Sequence, residues 1–215
     1  MARQPVPGTV KTRLQPLLSD GDIAALYDGF LRDRISQVRS LRGVTPVIAY
    51  TPAASRPFFA EMAPDFLLLP QMGDGLSARL TGLFLHLLGR GHDGVIATDS
   101  DSPTLPTEHL QSAVDRLTDA GTDVVLGPSD DGGYYLIGLR RGYPALFDGM
   151  PWSTPQVYDE TLRRADALGV RVTALPRWYD VDTPAEFERL RAEIDQLGAD
   201  APRHTRQFFV QRKRL

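Results

Sequence analysis

An apolar run that ends abruptly in carboxylates constrains this chain more than any other feature. In Gly94 to Pro106, GVIATDSDSPTLP, the residues Val95, Ile96 and Ala97 have the composition of a short buried strand, and Asp99 and Asp101 follow at once. In open α/β sheets the ligand site lies just beyond the carboxyl ends of such strands. Two carboxylates one residue apart repel each other and ask for a counter-charge, for which a hard cation, Mg2+ or Mn2+, is suited. The same residues also read as an Asx turn before proline, with Thr107 capping a helix from Glu108. Local sequence leaves both readings open.

The surrounding segments extend this edge into a sheet. Ile23, Leu26, Phe30, Ile35, Val38 and Leu41 recur at helical spacing between Asp22 and Arg42, and Gly43 closes that helix. Thr45 to Thr51 and Phe66 to Leu69 read as buried strands, with a short helix from Ala53 to Met62 between them. Further helices are expected over Asp74 to Leu88, Glu108 to Ala120, Ser153 to Leu168 and Ala185 to Leu197. Ser153 or Thr154 is the expected cap of the third, with Pro155 in its first turn. Strands are expected over Asp123 to Leu126, Tyr134 to Leu139 and Val170 to Leu175. This alternation predicts an α/β fold with helices on both faces, because parallel neighbours need crossover connections. The short turn before Tyr134 predicts one antiparallel strand, and so a mixed, mostly parallel sheet.

Composition narrows the function. The 215 residues are enough for one sizeable core, expected over residues 1–200, with a basic tail, 201–215, expected to be solvated or weakly packed. The 24 basic and 27 acidic side chains leave a formal charge of -3, which argues against a nucleic-acid or membrane partner and for a small ligand. There is no cysteine, and the four histidines lack metal-ligand spacing, so thiolate zinc sites and cysteine nucleophiles are excluded. No long apolar segment or signal-like start is present, and a cytoplasmic enzyme is the expectation.

Two more loops carry polar residues to the same side of the expected sheet. Near the start, Pro7 and Gly8 lead into Lys11 and Arg13, a loop suited to phosphate oxygens although not a Walker A loop. Near the end, Asp180-Val181-Asp182-Thr183-Pro184 repeats the pattern of Asp99 to Pro103, and capping by Asp182 or Thr183 accounts for much of it equally well. Between them, Asp130-Asp131-Gly132-Gly133-Tyr134 brings paired glycines, which permit close backbone approach, beside carboxylates able to accept hydrogen bonds from acceptor hydroxyls. A Gly-rich hairpin turn is the alternative reading. A cation cradle and two carboxylate pairs are the equipment of a Mg2+-dependent transfer from a nucleotide, which needs little covalent help from protein.

The motifs PVPGTVKTRL, TDSDSPTLP, LGPSDDGGYYLIGL, PWSTPQV and YDVDTPAEF occur in that order. Together they resemble the GT-A-type transferase family known as rSAM/selenodomain-associated transferases, also described as glycosyltransferases. The chain is more distantly similar to 2-phospho-L-lactate and molybdenum-cofactor guanylyltransferases. The resemblance spans the chain to about residue 195 and implies a single-domain nucleotide-diphospho-sugar transferase fold. It implies Lys11 and Arg13 at the nucleotide phosphates, Asp101 as a metal ligand, Asp182 as the second carboxylate, and a weaker nucleotide role at Asp74. It also implies an apolar strand immediately before the PVPG loop, where here only Met1 to Gln4 precede it. A shortened first strand is therefore expected, in a sheet lacking most of a central member. The expected reaction is nucleotidyl transfer from a nucleoside triphosphate to a small phosphorylated acceptor. Glycosyl transfer from a nucleotide-sugar is the alternative, and nucleotide binding without turnover a third.

Overall fold

A computed structural model describes residues 1–212 and places seven strands in two sheets. In the first, β1 (Ala2–Arg3) pairs in parallel with β2 (Val47–Thr51), and β2 in parallel with β3 (Leu67–Pro70). The second has the order β4 (Val95–Thr98), β6 (Tyr134–Leu139), β5 (Val124–Pro128), β7 (Val172–Ala174). As the short turn before Tyr134 predicts, β6 runs antiparallel to both β4 and β5, while β5 and β7 are parallel. The first strand is only two residues long. Between the sheets, the Met1 amine donates to the Thr98 carbonyl oxygen at 2.6 Å.

Among the described residues, seven α-helices cover the sheets on both sides. They are α1 (Asp20–Ser40), α2 (Arg56–Met62), α3 (Gly75–Leu88), α4 (Thr107–Thr118), α5 (Val157–Ala167), α6 (Pro184–Leu197) and α7 (Arg203–Arg212). Strand alternation sets the layers: Val124 and Leu126 of β5 pack with Leu83 and Phe84 of α3 and Ala165 of α5. Val125, between them, packs with Leu110 and Leu117 of α4. A further core joins α1, α2, α6 and α7 to Ile48 and Tyr50 of β2. The fold is α/β, and its polar loops gather where β1, β4 and β7 end.

Three local expectations are corrected. The helix expected from Ser153 begins at Val157; Ser153 has φ 62°, the Thr154 hydroxyl turns back to the Pro151 carbonyl, and neither caps a helix. Thr107 is the first residue of α4 and not its cap, because its hydroxyl accepts from the Gln37 side chain. The tail is not weakly packed: residues 203–212 form α7 against α1, burying Phe208 and Phe209, and the Asp33 carboxylate accepts from the His204 and Thr205 amides at the helix start. Residues 213–215 lie outside the described residues.

Candidate active site

The loop after β1 supplies the cation. Val6 to Thr9 form a tight turn closed by the Thr9 amide on the Val6 carbonyl, with Gly8 at φ 74°, the sign that proline-glycine at these positions allows. The chain then reaches Lys11, whose φ of 45° and ψ of 39° lie in the left-handed region that an ordinary residue adopts at a cost of about 1 kcal/mol or more. Two carboxylates hold it there. Lys11 Nζ lies 2.9 Å from Asp101 Oδ1 and 2.5 Å from Asp182 Oδ1, with the lysine side chain only 6% exposed. Burial opposes its charge, but Asp101 and Asp182 outweigh that and raise its pKa above the ordinary lysine value.

The two acidic loops are built differently from how their similar sequences read. After β4, Asp99 turns inward: Ser102 donates its hydroxyl to Asp99 Oδ2 at 2.7 Å, and Arg34 of α1 approaches Oδ1 at 3.3 Å. Arg34 also donates to the Ser102 carbonyl at 2.9 Å. Burial pushes the Asp99 carboxyl pKa up, against the pull of Arg34. Asp99 thus braces the turn, while Asp101 faces Lys11. After β7, the Thr183 hydroxyl accepts the Glu186 amide, and Glu186 Oε2 accepts the Asp182 and Thr183 amides at 2.8 and 2.7 Å. That capping box occupies Thr183 and leaves the Asp182 carboxylate for Lys11. The Val181 amide donates to the Asp101 carbonyl at 2.9 Å and ties the two loops together.

Lys11, Asp101 and Asp182 line a cavity of about 300 Å³ together with Arg3, Arg13 and Tyr27. Arg13 is mostly exposed, 3.8 Å from Asp182 Oδ2. Tyr27 hydrogen-bonds the Ser100 hydroxyl at 2.8 Å, and burial, with Asp101 nearby, pushes its phenol up to about 12. Sequence reasoning assigned no role to Tyr27, which has no local signature within its amphipathic helix, or to Arg3, and it took Asp180 only as one member of the second carboxylate pair. Burial first, then Asp131 and Asp182, push Asp180 up to about 7.

The Asp130 to Tyr134 segment joins the site by backbone. Asp130 N donates to the Trp178 carbonyl, and Trp178 N to the Pro128 carbonyl. Asp130 pairs with Arg189 at 2.8 Å, and Asp131 folds back on the Ser129 hydroxyl and the Gly133 amide. Gly132 has φ 88°, and a Cβ there would lie 2.2 Å from the Pro155 carbonyl oxygen, so only glycine fits. Tyr134 packs against Trp152, away from the lysine. Asp74, exposed ahead of α3, does not line the Lys11 cavity, and neither do Pro7 and Gly8, which shape the turn behind it.

Two carboxylates that already share one cation fit the way Mg2+ is held, through one or two carboxylates with phosphate oxygens completing the shell. Among the described residues no group of three or more acidic or histidine side chains is arranged to hold a metal alone. No described helix is long and apolar enough to cross a membrane.

Residues 34–154 match the family described as "Uncharacterized protein conserved in bacteria (DUF2064)". The chain belongs to this family. A crystal structure from Desulfovibrio desulfuricans G20, given the provisional name of nucleotide-diphospho-sugar transferase, is 30% identical over 99% of this chain and 93% of its own, with a TM-score of 0.90. Two further structures share the fold at 15% identity. CMP:2-keto-3-deoxy-manno-octonic acid synthetase, complexed with CTP, covers 78% of this chain and 88% of its own at TM-score 0.54. A mannosyltransferase from Pyrobaculum calidifontis, in complex with GDP-Man and Mn2+, covers 83% and 64% at TM-score 0.50. No curated protein matches the DUF2064 chain.

Proposed function

We propose that this chain is a nucleotidyltransferase that uses a divalent cation, Mg2+ or Mn2+, to transfer a nucleotidyl group from a nucleoside triphosphate to a small phosphorylated acceptor. The observation that carries this reading is Lys11, buried between Asp101 and Asp182 in a cavity that also holds Arg3 and Arg13. Three cations around one cavity are more than a diphosphate needs and suit a triphosphate tail. An acceptor phosphate oxygen attacks the α-phosphorus, the bond to the bridging oxygen breaks, and pyrophosphate leaves with that electron pair. Asp101 and Asp182 would hold the divalent cation, which would supply neutralisation of phosphate charge. Lys11 and Arg13 hold the departing phosphates, and the Arg34–Asp99 pair keeps the Asp101 turn in place.

Glycosyl transfer is the second reading, favoured by Asp180. Such an acceptor is a hydroxyl that must lose a proton, and a carboxylate with a pKa of about 7 is matched to take it. Asp130 and Asp131, engaged with Arg189 and with their own turn, are less suited to that role. The likeness to the mannosyltransferase concerns the fold alone and does not decide between the two readings.

The test is a thermal-shift series of nucleoside triphosphates and nucleotide-sugars with Mg2+, Mn2+ or chelator, followed by product analysis. A ligand at about 100 times its dissociation constant adds about 2.7 kcal/mol, a readily measured shift. Metal-dependent pyrophosphate release supports nucleotidyl transfer. Release of a nucleoside diphosphate supports the glycosyl reading, and binding without either product overturns both.

A further inference from the structure

The cation that Asp101 and Asp182 share belongs to the chain itself, and it sits where a metal would. Lys11 Nζ meets Oδ1 of Asp101 at 2.9 Å and Oδ1 of Asp182 at 2.5 Å, so one oxygen of each carboxylate is turned to the same point. A hard divalent cation such as Mg2+ needs those same oxygens at about 2.1 Å, and an ammonium already between them excludes it by size and by like charge. The hold is local to the side chain. Val10 and Leu14 are buried on either side and fix the loop, while Lys11 lies between them at φ 45° and ψ 39°, a conformation that residues other than glycine adopt at a cost. Its flexible four-carbon stem lets the ammonium swing without moving Val10 or Leu14. Arg13 lines the same cavity but is mostly exposed, and it approaches Asp182 at 3.8 Å on the other oxygen, Oδ2.

We infer that Lys11 is a resident counter-cation: its ammonium keeps divalent metal off Asp101 and Asp182 in the free chain and leaves them only when phosphate oxygens draw it away. The inference rests on the reading of this cavity as a metal- and nucleotide-using site, and it names the ligand more closely. The chain takes a divalent cation and a triphosphate together, as their chelate. Metal alone would have to expel Lys11 with nothing to receive the ammonium. A triphosphate alone would draw Lys11 off and leave two facing carboxylates uncompensated beside its own negative charge. When both arrive, the carboxylates exchange the ammonium for the metal and Lys11 passes to the phosphates, so no charge in the cavity is left unpaired. Lys11 thus serves the carboxylates before binding and the phosphates after it.

The test reads metal binding and not turnover. Binding of Mn2+ alone to the full chain, to Lys11→Met and to Arg13→Met is measured by electron paramagnetic resonance of the unbound ion, and again with inorganic triphosphate by the water-proton relaxation of bound Mn2+. Without triphosphate, Lys11→Met is expected to bind Mn2+ more tightly than the parent by about ten-fold or more. Arg13→Met loses the same charge, and is expected to gain less than about three-fold. The gain should vanish in the double variant Lys11→Met, Asp101→Asn, which places the ion at the carboxylates. With triphosphate, the parent takes up Mn2+ at least as well as Lys11→Met. Equal gains in Lys11→Met and Arg13→Met would overturn the inference, because net charge and not occupancy would then set the affinity. A parent that binds free Mn2+ as tightly as Lys11→Met would overturn it too, and would leave the nucleotidyltransferase reading standing. Tighter Mn2+ binding by Lys11→Met, with no binding of triphosphate by either form, would support Lys11 as the counter-cation and remove the nucleotide reading instead.

Discussion

Thr183 and Glu186 cap α6 reciprocally, and by doing so they leave the carboxylate of Asp182 to Lys11. Either Asp182 or Thr183 has the chemistry to cap this helix. Because Thr183 takes the role, two residues adjacent in the chain are divided between holding a helix and holding a charge.

That division predicts the behaviour of the acidic pair. Asp182→Asn and Asp101→Asn each remove a hard oxygen charge without removing a core contact or the cap. Metal-dependent turnover is expected to fall by about 100-fold or more in each, with the circular dichroism spectrum little changed. Thr183→Ala should do the reverse, lowering the urea midpoint by about 1 kcal/mol of stability while turnover falls less. Near-normal metal-dependent activity in Asp182→Asn would remove it from the site.

Lys11→Ala leaves Asp101 and Asp182 facing each other with no cation between them. Nucleoside triphosphate affinity, measured by calorimetry, is expected to drop at least ten-fold, and nucleotide-sugar affinity by less, since the additional phosphate is what the cation cradle serves. Equal losses for the two ligand classes would count against nucleotidyl transfer.

Arg34→Met should be costly for a different reason. The arginine is buried and the Asp99 carboxylate opposite it largely so, and removing the cation leaves an uncompensated charge beneath the Asp101 turn. Breaking such a pair costs about 3 kcal/mol, seen as a lower urea midpoint. The double variant Arg34→Met, Asp99→Asn is expected to recover part of that loss. A single variant as stable as the parent would mean that Asp99 is accommodated by Ser102 alone.

The Met1 amine gives the chain a pH dependence. Burial lowers its pKa from 8.0 to about 6, so between those values the unfolded chain binds more protons than the folded one. Stability from this group is therefore fully present above about pH 8 and is lost as pH falls through 6. Two units correspond to about 2.7 kcal/mol. Urea midpoints between pH 6 and 8 measure it.

The sequence by itself determined the class of fold and the identity of the charged loops. Apolar runs such as Val95 to Ala97 and Asp123 to Leu126 mark strands because their side chains must leave water on both faces, and the helical spacing of α1 and α3 is equally local. For the same reason the antiparallel entry of β6 was legible from a short glycine-rich turn. What the sequence left open were the places where identical local chemistry has two uses. Asp99 and Asp101 both follow β4, and only the approach of Arg34 from α1 draws the first inward and leaves the second to Lys11. The tail is basic and reads as solvated, yet Asp33, far from it in the chain, accepts its first amides and lets Phe208 and Phe209 reach the core. Arg3 and Tyr27 become part of the site only through packing, since their positions depend on contacts between segments far apart in the chain. Periodicity and composition report what a segment buries, whereas partner choice among like charges is decided by distance and desolvation, which exist only once the chain has folded.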